Sequence, residues 1–245
     1  MVQHVPFELT LTLASPVVMP FRTTLDGLLS FATEAMTGLR GEELKPHIPL
    51  VVDPESGIFR ASSIFLGTGV PGRADGRATE PNVHFQNRVM VRSLKTDDDL
   101  DATKIAPRAS KTGKPLKKPY ADIDKKRGNY ANKLTNYTTV LTPKAVCYGV
   151  GDPEAVMHLL ELVLGLGKHA AQGMGEITHR QIRVIQEDHS WILPNRLPAR
   201  SLPVAVWESI SDIPADEVPH GLSACRFPYW EAEWEASVVP SQVLV

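Results

Sequence analysis

Between Gly165 and Glu176 the chain reads GLGKHAAQGMGE. Lys168, His169 and Gln172 stand between two G-x-G pairs, Gly165–Gly167 and Gly173–Gly175. Lysine brings a positive charge, histidine and glutamine bring hydrogen-bonding groups, and glycine lets backbone approach a partner closely. Together they suit an anionic partner such as a phosphate, with backbone N–H groups adding to the side-chain contacts. His169, beside Lys168, could also serve as a general acid or base. His47 and His84 are further candidates for that role.

Nucleotide-cofactor motifs do not fit the loop. A P-loop needs G-x-x-x-x-G-K-[ST], but His169 follows Gly167-Lys168, and Leu162 holds the place of the first glycine. A dinucleotide fingerprint on Gly165, Gly167 and Ala170 would have to follow a strand and open a helix. Here a helical pattern precedes the loop and a strand pattern follows it. No cofactor is therefore expected. No metal site is expected either: H-E-x-x-H and C-x-x-C are absent, and Asp97-Asp98-Asp99 reads as a solvated turn. Cys147 and Cys225 are too few and too far apart in sequence to suggest a disulfide framework.

A second feature concerns charge. From Lys104 to Lys133 there are ten basic residues and two acidic ones, Asp122 and Asp124. That stretch carries +8 on a chain of net charge −2, so the remainder carries −10. A basic stretch on an acidic body is an electrostatic footprint for a polyanion. Lys111, Lys114, Lys117, Lys118, Lys125, Lys126 and Arg127 are its candidate phosphate contacts. Tyr120, Tyr130 and Tyr137 lie among the lysines and could stack on splayed bases.

The elements that must position these groups follow from periodicity. Phe7, Leu9, Leu11 and Leu13 alternate with Glu8, Thr10 and Thr12, as in a strand with one buried face. Leu25, Leu28, Leu29, Ala32, Met36 and Leu39 recur at helical spacing, with Thr24 as N-cap, Asp26 in the first turn and Gly41 as the stop. Short strands are expected over 48–52 and 57–65, and a longer one over 83–91. Residues 137–148 return to strand character. Asp152-Pro153-Glu154 opens a second helix with Val156, Leu159, Leu160 and Val163 on its apolar face. A strand around Ile182–Val184 follows the glycine loop. From Leu193 onward prolines are frequent, which predicts an irregular tail with a short strand near 204–207. The order β-α-β(β)-β-α-β predicts an α+β chain with a ferredoxin-like (RRM-like) βαββαβ core. It is read as one domain over 1–245, with a basic insertion over 95–136 and a C-terminal extension over 190–245. Hydrophobic residues at 42% and charged residues at 22% are ordinary globular values. Neither a signal peptide nor a membrane span is read, so a cytoplasmic location is expected.

A glycine-rich loop between the last helix and last strand of such a core resembles the hallmark of the RAMP superfamily of CRISPR-associated proteins. The pattern there is G-h-G-x-x-x-x-x-G-h-G, with h apolar. Gly165-Leu166-Gly167, five residues, then Gly173-Met174-Gly175 matches it throughout. Leu25-Asp26-Gly27-Leu28-Leu29 and Arg226-Phe227-Pro228-Tyr229-Trp230 resemble elements of one group within it. That group is the Cas-five-type subunit, or third Csf protein, of type IV CRISPR effector complexes.

The resemblance implies a non-catalytic subunit that holds the 5′ handle of the crRNA and caps the guide filament. It implies contact with a backbone subunit of the Cas-seven kind, with the large subunit and, within the complex, with target DNA, but not with a membrane. Gly165, Gly167, Lys168, His169, Gln172, Gly173 and Gly175 would then contact RNA, and the basic insertion would be a thumb-like element tracking it. Tyr229 and Trp230 are expected to be packing or subunit-interface residues. Two other readings compete: a metal-independent crRNA-processing endoribonuclease using His169, and a scaffold that touches only protein.

Overall fold

The computed structural model describes residues 4–18, 23–67, 84–92 and 133–240. The chain divides into two units, residues 1–86 with 139–245, and residues 87–138. Each is described by itself.

In the first unit, β1 (Val5–Leu13) buries Phe7, Leu9, Leu11 and Leu13, while Glu8, Thr10 and Thr12 face the other way and are only partly covered. Helix α1 (Leu25–Thr37) starts where the Thr24 side chain accepts from the Gly27 amide at 3.3 Å. It ends at Gly38, not at Gly41. Gly38 takes a left-handed conformation, φ 74°, and its amide donates to the Glu34 carbonyl, closing the helix before Leu39 can join it.

The strands expected over 48–52 and 57–65 reduce to isolated bridges and a two-residue β2 (Phe65–Leu66). Residues 59–66 do run beside a longer strand, but the Ser62 hydroxyl, not a carbonyl, accepts from the Tyr148 amide at 2.8 Å. A side chain thus takes a ladder position and interrupts the strand. The long strand expected over 83–91 is β3 (His84–Arg92), which pairs with β4 (Lys133–Leu141). The expected strand over 137–148 is two strands, β4 and β5 (Lys144–Gly151), broken at Thr142-Pro143. Most of the β3–β4 ribbon belongs to the second unit.

Helix α2 (Pro153–Leu160) is capped by Asp152, whose Oδ1 accepts from the Glu154 and Ala155 amides at 3.0 and 3.2 Å. After the glycine loop comes β6 (Ile177–Val184). The main sheet runs β2-β5-β1-β6, with every neighbouring pair antiparallel. Helices α1 and α2 bury Leu25, Leu29, Val156 and Leu160 with the Phe7–Leu13 face of β1 in one hydrophobic core. On the far face, Ile185, Leu193 and Ala199 pack over Phe65, Val146 and Tyr148. That covers the β2–β5 side.

The C-terminal segment departs from the expected irregular tail. β7 (Leu202–Pro203), β8 (His220–Ser223) and β9 (Glu235–Val238) form a second antiparallel sheet in the order β7-β9-β8. The strand expected at 204–207 is helix α3 (Val204–Ile210), which follows directly from Pro203. Trp207, on that helix, is fully buried and joins Trp191, Leu202, Val218 and Val238 in a separate core. Burial of the indole outweighs the weak preference of Val204-Ala205-Val206 for strand. The architecture is mixed α/β with antiparallel sheets. Among the described residues, no helix is long and apolar enough to cross a membrane.

Candidate nucleic-acid interface

The two G-x-G pairs lie against each other. Gly165 bridges Glu176, and the Leu166 amide donates to the Gly175 carbonyl at 2.8 Å. A short turn, Ala170–Gln172, forms the tip between left-handed His169 (φ 64°) and Gly173 (φ 81°). Leu166 and Met174, the apolar residues inside the pairs, are buried and pin the loop to the body. Gly167, Lys168, Gln172 and Gly173 are exposed, and His169 is half-buried.

The segment after β1 holds the loop from one side. The Lys168 amide donates to the Val18 carbonyl at 2.6 Å, the Gly175 amide to the Pro16 carbonyl at 2.9 Å, and the Glu176 amide to the Ser15 hydroxyl at 2.9 Å. The Gln172, Gly173 and Met174 amides turn inward to His169 and Ala170 carbonyls. Most loop N–H groups are therefore taken up inside the fold, contrary to the expected backbone cradle for phosphate. The exposed polar side chains of the loop are those of Lys168 and Gln172.

The glycines answer to packing as well. A Cβ on Gly175 would lie 2.1 Å from the Leu166 carbonyl oxygen. No side chain fits there, so this glycine is required by close backbone approach.

Beside the loop, the strand register places further polar groups that the sequence pattern did not single out. Thr12 is opposite Lys144 on β5 and His179 on β6, and Thr10 is opposite Gln181. Lys144, His179 and Gln181 are exposed, so the far face of the sheet is polar and open along β1–β6. Arg183 donates to Glu8 at 2.9 Å on the same face. The alternation of Glu8, Thr10 and Thr12 signalled that face, but only the register reveals its neighbours.

The basic candidates Lys111, Lys114, Lys117, Lys118, Lys125, Lys126 and Arg127 lie outside the described residues, as do Tyr120 and Tyr130. Among the described residues, no group of three or more His, Cys, Asp or Glu is placed to hold a metal ion. Cys147 and Cys225 are buried free thiols. Burial raises both thiols, Cys147 well above the ordinary range with the Glu8 charge adding to the effect.

One buried polar cluster was not legible. Arg200, 1% exposed, donates to Asp26, to the Phe59 and Ala61 carbonyls at 2.9 and 3.0 Å, and to the Tyr229 hydroxyl at 2.8 Å. Tyr229 donates in turn to Asp26. Burial opposes the guanidinium charge, but the Tyr229 oxygen and the Asp26 carboxylate more than offset it and hold Arg200 above its ordinary range. Asp26 therefore pairs with a buried cation rather than merely favouring the start of α1. The cluster ties α1 to the C-terminal segment, using two of the motifs quoted above.

A search of curated proteins found none that matches. From residue 5 to residue 240 the chain matches the family described as CRISPR type IV associated protein Csf3, and it belongs to that family.

Proposed function

We propose that this chain is the non-catalytic crRNA-binding subunit of a type IV CRISPR complex, holding the 5′ handle and capping the guide filament. A backbone subunit of the Cas-seven kind, the large subunit and bound target DNA are its neighbours in this reading. Family membership supports a role in the type IV complex. The observation that carries the RNA reading is the loop itself. Its apolar residues are anchored in the core, and Lys168 and Gln172 stay exposed beside the open polar face of Thr12, Lys144, His179 and Gln181. The basic stretch 104–133 adds charge suited to a polyanion. The sheet order β2-β5-β1-β6, with one helix after β1 and another after β5, supports a ferredoxin-like RAMP core.

The test is crRNA retention by the assembled complex. Lys168→Glu and the pair Lys117→Glu/Lys118→Glu should each weaken retention. The salt dependence of binding should fall by about 0.7 in log–log slope for each phosphate no longer neutralised. Retention and slope unchanged in both variants would sink the RNA role of these segments. Incubation with repeat RNA in the absence of metal tests the non-catalytic part. Specific cleavage that disappears in His169→Ala would overturn it.

A further inference from the structure

The face formed by residues 226–238 has chemistry that RNA binding leaves unused. Trp230 and Trp234 are 63% and 69% exposed. Trp230 is held in place: its ring meets buried Phe227 edge-on at 5.6 Å, and its Nε1 donates to Glu231 at 3.0 Å. Trp234 stands between two hollows. One, of about 410 Å³, is bounded by Ser30, Tyr229 and Trp230. The other, of about 510 Å³, carries Glu42, Glu231, Glu233 and Glu235 against Lys45 and Arg226. Arg226 is already engaged, donating to Glu235 and to the Ser56 carbonyl. Among the described residues, that leaves three carboxylates, Glu42, Glu231 and Glu233, with one lysine.

Exposed indoles framed by carboxylates attract a Lys or Arg side chain, whose cation lies on the ring face while its charge is answered at the rim. The same carboxylates repel phosphate. Tryptophan anchors with a polar rim also match the make-up of protein interfaces. We propose that this face docks a lysine- or arginine-bearing segment of a neighbouring protein against Trp230 and Trp234, with Glu42, Glu231 and Glu233 answering its charge.

The probe is an octa-arginine peptide titrated into the full-length protein at about 0.15 M salt, where distant charges are screened. Tryptophan fluorescence and calorimetry give the readout. Saturable binding is expected, weakened at least tenfold in Trp230→Ala/Trp234→Ala and in Glu231→Lys/Glu233→Lys. Glu161→Lys, just past the end of α2 and outside both hollows, should bind as the unaltered protein does. If the tryptophan pair fails to fold, the charge-reversal pair decides. Equal affinity in all variants overturns the proposal. So does a uridine oligonucleotide that displaces the peptide and quenches the same tryptophans. Concentration-dependent dimerisation abolished by the tryptophan substitutions would also overturn it, since the occupant would be a second copy.

Discussion

Gly175 and Gly173 share a left-handed backbone but not an environment. A Cβ on Gly175 meets the Leu166 carbonyl oxygen at 2.1 Å, whereas one on Gly173 meets nothing within 4 Å. Gly173→Ala should therefore cost only the conformational strain, about 1 kcal/mol. Gly175→Ala adds a backbone clash and should cost about 3 kcal/mol or more. Urea denaturation of both variants checks this, and equal destabilisation would refute the packing argument.

Tyr229 supplies a pH dependence. Burial raises its phenol above the ordinary 10.0, with Asp26 adding to the rise and Arg200 opposing it. The folded state thus keeps a proton that the unfolded state releases above that value. Its contribution is fully present below about pH 10 and is lost as pH rises toward the raised folded value. Between about pH 10 and 11, Tyr229→Phe should lose stability less steeply than the unaltered protein, by up to about 1.4 kcal/mol per pH unit. Denaturation curves across that range give the measurement.

At the scale of elements, ends are set by caps, and caps were the most legible feature. Thr24 and Asp152 read as N-caps, and both side chains accept the expected amides. Asp152→Ala should cost about 1 kcal/mol by thermal unfolding, because it frees two amides at the start of α2. Legibility failed where a decisive partner is remote in sequence. Ser62 interrupts a strand by bonding Tyr148, 86 residues away. Residues 204–210 form a helix because Trp207 has a core to enter. The strands expected over 48–52 and 57–65 shrank to isolated bridges and the two-residue β2, because local pattern does not show how many residues will find a partner strand. One miss was local instead: Gly38 closes α1 before Gly41 because its own amide finds Glu34 within the same helix.

At the scale of the molecule, all three hydrophobic clusters of the described residues lie in the unit of residues 1–86 and 139–245. Replacing residues 93–132 by a short Gly-Ser linker should therefore leave the melting transition within a few degrees of the original. The same deletion should remove most crRNA retention, because it removes nine of the ten basic residues between Lys104 and Lys133. A collapse of the melting transition would show that the removed segment is part of the core.

The glycine spacing, the period-two pattern of β1, the helix caps and the uneven charge are local properties, so the sequence alone carried them. They sufficed for the order of the main elements, and the glycine spacing together with Leu25–Leu29 and Arg226–Trp230 sufficed for the CRISPR type IV family. Only tertiary structure could set Lys144 and His179 on either side of Thr12, close Arg200 onto Asp26 and Tyr229, and frame Trp234 with carboxylates. It also turned most of the glycine loop's amides inward, while the side chains of Lys168 and Gln172 stay exposed. The physical reason is range: periodicity and capping act over a few residues, whereas register, burial and backbone approach depend on segments far apart in the chain.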